Sequence, residues 1–151
     1  MIQNIFIEEW ERRFWLKVIK MTRRIEFEIS RINRHLESAR NISKQNMSDA
    51  IIFGALSMEL FQAINAAIDL GEEVVTLKHL GYPSKYTETF DILLSKGVIK
   101  KDCANALKRL VYLRNLISHE YHQITDKELK EIMKLSKFIE ELIESIKKSL
   151  K

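Results

Sequence analysis

Ser48-Asp49-Ala50-Ile51-Ile52-Phe53-Gly54-Ala55-Leu56-Ser57-Met58-Glu59-Leu60-Phe61 is the stretch whose reading decides the fold. Ser48-Asp49 offers side-chain oxygens to the unpaired N–H groups that open a helix. Ile51, Ile52, Ala55, Met58, Leu60, Phe61, Ile64, Ala67 and Ile68 then recur at helical spacing. Small residues such as Gly54, Ala55, Ala63, Ala66 and Ala67 allow close approach by a neighbour. Gly71 is a stop signal, yet Val74, Val75, Leu77 and Leu80 keep the period, and one interior glycine costs only about 1 kcal/mol. The helix is therefore expected to run from Ser48-Asp49 to about Leu80.

Outward from that helix, every segment reads the same way. Gly81-Tyr82-Pro83-Ser84 is a break, because proline pushes the residue before it out of helical geometry. Ser84 is expected to cap a short helix through Leu94, closed by Gly97. Asp102 is expected to cap the next, whose apolar face is Ala106, Leu107, Leu110, Leu113, Leu116 and Ile117. Thr125 and Glu128 form a capping box before an amphipathic helix carrying Ile132, Leu135, Phe138, Ile139, Leu142 and Ile146. Residues 5 to about 45 carry Phe14, Val18, Met21, Ile25, Ile29, Ile32 and Leu36 at helical spacing, as one long helix or two in series. With 151 residues, one proline and four glycines, the chain predicts a single all-α domain over 1–151, an antiparallel helical bundle of four to five main helices.

The net charge of +4 is compatible with a polyanionic partner without demanding one. Residues 1–48 hold ten basic against six acidic side chains, which is the whole surplus. Either a solvated, ion-paired helix face or a nucleic-acid-attracting one fits that distribution. A lone cysteine, Cys103, makes no internal disulfide, and no charged-then-apolar leader opens the sequence, so a cytoplasmic location is expected. Charges interrupt the apolar stretches, so no membrane span of roughly 20 residues is expected. Trp10 and Trp15 are expected to anchor the N-terminal helix. Tyr82 and Tyr86 either stack on RNA bases or pack a turn onto the core.

The chemistry concentrates in Arg114-Asn115-Leu116-Ile117-Ser118-His119-Glu120-Tyr121. Arginine brings a permanent forked charge suited to phosphate, and histidine exchanges protons near neutral pH. Asn115 and His119 lie one helical turn apart, so the amide is placed to orient the imidazole. Arg114 and His119 are about 140° apart around the axis, so one helix presents them poorly to a single phosphate. Two copies related by a two-fold axis would pair them in one cleft, and a homodimer is expected on that ground. The plain alternative is that both residues neutralise a helix C-terminus. His35, His79, His119 and His122 lack ligand spacing, so no metal is expected.

Arg-Asn-x-x-x-His-x-Tyr at Arg114 to Tyr121 resembles the signature of the HEPN superfamily, in particular its HepT-type toxins. The likeness spans roughly residues 49–145, including the Gly81-Tyr82-Pro83 break, Tyr86, Phe90 and Gly97-Val98-Ile99. It implies a metal-independent endoribonuclease without cofactor, acting on RNA by 2′-hydroxyl attack to leave a 2′,3′-cyclic phosphate. By that resemblance His119 and Arg114 are the catalytic pair, Asn115 orients the site, and Tyr121 is the tyrosine that a partner nucleotidyltransferase antitoxin adenylylates. The resemblance also admits a non-catalytic helical adaptor that binds a nucleotidyltransferase or a nucleotide, and the basic N-terminal segment admits a nucleic-acid-binding protein.

Overall fold

Asp49 accepts hydrogen bonds from the N–H groups of Ile51 (2.8 Å) and Ile52 (3.3 Å), and the helix it caps runs Ala50–Leu77. The computed structural model describes residues 2–119 and 124–151. Among them five helices follow in order: α1 (Ile2–Ser43), α2 (Ala50–Leu77), α3 (Tyr86–Ser95), α4 (Lys101–Ser118) and α5 (Asp126–Ser149). The N-terminal segment is thus one helix and not two in series.

Helix α2 is the centre, in contact with each of the other four. Cross-helix pairs give the directions. Arg24–Glu73, Arg31–Asp69 and His35–Glu59 descend along one helix as they climb the other, so α1 and α2 are antiparallel. Arg109–Glu131 and the Cys103 thiol on the Phe138 carbonyl show α4 and α5 antiparallel as well. Leu60, Ile64, Leu70, Leu107, Leu110, Leu113, Leu129 and Ile132 are fully buried where these four helices meet, and α3 lies across α2 and α4 through Phe90 and Leu93.

Gly71 shows why that helix tolerates a glycine. A Cβ there would lie 2.9 Å from Thr89 Cγ2 and 3.4 Å from Phe90 Cε1, so its absence lets α3 close onto α2. The turn after α2 carries His79 at φ 51° and Gly81 at φ 155°, and Gly97 at φ 72° ends α3.

Several expectations are corrected. Ser84 does not cap α3: the cap position is Lys85, and Ser84 instead donates its N–H and hydroxyl to the Glu88 carboxylate. Lys100, not Asp102, precedes α4; Asp102 sits in the first turn, where its charge suits the helix dipole. Helix α2 is long and apolar enough to cross a membrane by length and composition, because three of its four acidic residues, Asp69, Glu72 and Glu73, lie toward its C-terminal end. Its contacts with all four other helices make it the core helix of a bundle. Trp10 and Trp15 do not anchor α1 in the core, being 66% and 59% exposed. Their helix outruns α2: Met21 is the first buried residue of α1, and everything before it but half-buried Val18 is exposed wherever its side chain is described.

Candidate functional site

The arrangement of the Arg114 side chain comes from three helices. Near the C-terminal end of α4, its Nε donates to Asn65 Oδ1 on α2 at 2.7 Å, and Nη1 donates to Asn115 Oδ1 at 3.0 Å. The guanidinium carbon lies 4.9 Å from the Phe61 ring centroid on α2 and 5.5 Å from that of Tyr86 on α3. Two amides and two aromatic faces thus fix the plane of a half-buried cation. Five N–H donors form the guanidinium fork; two are used this way among the described residues.

Asn115 links this arginine to the histidine. Its carbonyl accepts the Ser118 hydroxyl at 3.0 Å and the His119 N–H at 3.2 Å as α4 ends. His119 leaves the helix at φ −89°, ψ 122°, and its side chain is exposed. The helical spacing argument therefore stops at Ser118. The Asn115 side-chain oxygen, expected on the imidazole, is engaged by Arg114. Tyr121 and His122 lie outside the described residues, so the placement of the candidate modification site is not specified.

Beside Asn115 opens a cleft of about 510 Å³ lined by Ser84, Lys85, Tyr86, Thr87 and Val111. It combines one lysine, one aromatic face, two hydroxyls and an amide, a set suited to a sugar-phosphate with an attached base. Further along α4, Arg109 holds Glu131 with bonds of 2.7 and 3.0 Å and covers the Tyr112 ring at 4.9 Å. That hydrogen bonding keeps the Glu131 carboxyl below its ordinary value and pushes the Arg109 guanidinium up.

The structure brings together Arg114 and Asn115, with the backbone of His119 tied to the latter. Sequence reasoning missed Asn65 and read Phe61 only as part of the apolar pattern of α2. The available signal for Asn65 was a lone amide in the apolar run Ala63-Ile64-Asn65-Ala66-Ala67. Tyr86 was noted as a base-stacking candidate; here it backs the arginine.

The chain is similar in sequence and in fold to several known proteins. A family model described as ribonuclease HepT-like matches residues 25–149. The mRNA nuclease HepT of Shewanella oneidensis is 23% identical over 96 residues, covering 64% of this chain and 72% of that one. Among solved structures, the tri-AMPylated Shewanella oneidensis HEPN toxin in complex with MNT antitoxin superposes with a TM-score of 0.76 at 22% identity, over 82% of this chain and 96% of that one. YutE from Bacillus subtilis, described as a cytosolic protein of unknown function, gives 0.75 at 20% identity over 83% and 87%.

Proposed function

Because this chain belongs to the ribonuclease HepT-like family, we propose that it is an endoribonuclease toxin whose catalytic pair is Arg114 and His119. The observation that carries the reading is the fixed guanidinium: Asn65 and Asn115 hold it in plane beside a cleft of nucleotide size. The reaction needs no metal or cofactor. The ribose 2′-oxygen forms a bond to the adjacent phosphorus as the bond to the 5′-oxygen breaks, leaving a 2′,3′-cyclic phosphate and a 5′-hydroxyl. One imidazole takes the 2′-hydroxyl proton, and a protonated imidazole returns one to the departing oxygen. Arg114 holds the phosphoryl oxygens, where charge grows in the transition state.

A homodimer supplies both imidazoles. With His119 exposed at the end of α4, two copies meeting along that helix would set two histidines and two arginines in a shared cleft. The neighbour named as an AMPylated toxin with its MNT antitoxin supports a matching partner here: a nucleotidyltransferase antitoxin that adenylylates Tyr121. The modification would add a negative charge and bulk close to His119 and repel the substrate phosphate.

The test is cleavage of tRNA and of a single-stranded RNA by the purified chain, with product ends analysed. Cyclic-phosphate ends that vanish in His119→Ala and Arg114→Ala, in protein of unchanged mass and helicity, are the expected result. Full cleavage by His119→Ala would reject His119 as a catalytic residue, and no cleavage by wild type alongside a stable complex with a nucleotidyltransferase would replace the nuclease by an adaptor.

A further inference from the structure

The first half of α1 takes no part in the candidate site. Helix α1 has 42 residues and its partner α2 has 28, so α1 projects roughly 20 Å past the end of α2. The segment before residue 25 also lies outside the family match, so it is an addition to the common body.

Its apolar stripe does not stop where the core stops. Ile7, Trp10, Phe14 and Val18 run at three- and four-residue steps into Met21 and Ile25, the residues that dock α1 on α2. Trp10 stacks on Phe14 with ring centroids 5.5 Å apart. Trp15, Leu16 and Ile19 extend the apolar surface to the other flank, all about half exposed or more. Together these side chains leave more contiguous apolar surface exposed than a monomer ordinarily shows.

We propose that residues 2–20 pair with the same residues of a second copy of this chain, the two arms running antiparallel across a two-fold axis near Phe14. Charge chooses this occupant and this direction. Glu8, Glu9 and Glu11 occupy the tip, while Arg12, Arg13, Lys17 and Lys20 follow toward the body. An antiparallel pair sets each acidic tip level with the other copy's basic base, whereas a parallel pair stacks like on like. The same register brings Trp10 level with Val18 and Ile7 level with Met21. There a hollow of about 470 Å³, lined by Lys17, Met21, Leu80, Tyr82 and Pro83 among others, receives the incoming tip. An anionic membrane fits less well, because the tip glutamates oppose it.

The pairing is separate from the cleavage site and does not depend on it. The test is sedimentation equilibrium of the full chain and of the Trp10→Glu/Phe14→Glu variant, both positions being exposed, with helicity followed by circular dichroism. The expected result is a mass halved in the variant at equal concentration. In a second experiment, Phe14→Cys should give an oxidised covalent dimer while Ile7→Cys does not, Cys103 being buried. An unchanged mass, a cross-link through Ile7→Cys in place of Phe14→Cys, or flotation with phosphatidylglycerol vesicles that the double substitution abolishes would overturn the proposal.

Discussion

Asn65 Oδ1 on α2 accepts the Nε–H of Arg114 on α4 at 2.7 Å, tying the central helix to the one that ends in the candidate catalytic motif. That bond sets the rotation of the guanidinium between the Phe61 and Tyr86 rings. Asn65→Leu keeps the volume and removes the acceptor. It should lower RNA cleavage about tenfold to a hundredfold through kcat, since misplacing a charge-stabilising group acts on the transition state. Arg114→Lys should do no better, because an ammonium supplies no second fork donor for Asn115. Cleavage assays under single-turnover conditions decide it; an Asn65→Leu enzyme with wild-type kcat would leave the bond a packing detail.

How much of this was legible follows from the range of each signal. The α2 cap, the Thr125–Glu128 capping box and the Gly97 stop are local, a few residues wide, and the structure contains all three. Ser84 and Asp102 failed as caps because several polar residues stood near each helix start, and local chemistry does not rank them. Arg114 and Asn115 were visible as neighbours in sequence. The Asn65 contact was not, since 49 positions separate it from Arg114 and only the packing of α2 against α4 brings them together. Trp10 and Trp15 misled for a related reason: helical periodicity says which face is apolar, not whether another helix reaches that far.

Thr89 and Gly71 form a packing pair with opposite expectations. Thr89 is fully buried, and its Oγ1 has no hydrogen-bond partner among the described residues. Thr89→Val replaces that hydroxyl by a methyl of the same shape and should stabilise by about 1 kcal/mol, or roughly 2–4 °C in Tm. Gly71→Ala should destabilise despite its better helix propensity, because the new Cβ meets Thr89 Cγ2 at 2.9 Å and overpacking costs about 1–3 kcal/mol. Thr89→Ser removes that methyl, so adding it to Gly71→Ala should recover the loss. Thermal melts of the single and double variants measure the coupling.

Acid sensitivity should come from carboxylates held by hydrogen bonds. Glu88 is kept below the usual 4.5 by the Ser84 N–H first and then the Ser84 hydroxyl, Glu128 by Thr125, and Glu131 by Arg109. A depressed folded value means stability that is complete above the unfolded value of about 4.5 and drains away as pH falls through the folded one. Glu72 runs the other way: burial first, then the charges of Asp69 and Glu73, raise its value, so its ionised form costs stability at neutral pH. Glu131→Gln should therefore flatten the acid limb of Tm against pH. Glu72→Gln should raise Tm near pH 7, and its gain should vanish below about 4.5. Melts between pH 3 and 8 test both signs.

Cys103 reports on whether the helix carrying Arg114 ever opens. It lies in the first turn of α4, buried against α5, with its thiol on the Phe138 carbonyl at 3.5 Å. Burial first, and then the Glu141 charge, push the thiol up to about 12. Thiolate is the reactive form, so a disulfide reagent at pH 8 meets both a scarce nucleophile and a closed path. Cys103 should stay unmodified for hours in native buffer and react within seconds in guanidinium, with the native rate set by global unfolding. That behaviour is what a rigid α4 requires, because local fraying at Lys101–Ala106 would loosen the α4–α5 contact that also holds Arg109 on Glu131. Rapid titration of one thiol in the folded protein would show that α4 opens independently, and the fixed guanidinium would then need Asn65 alone to hold it.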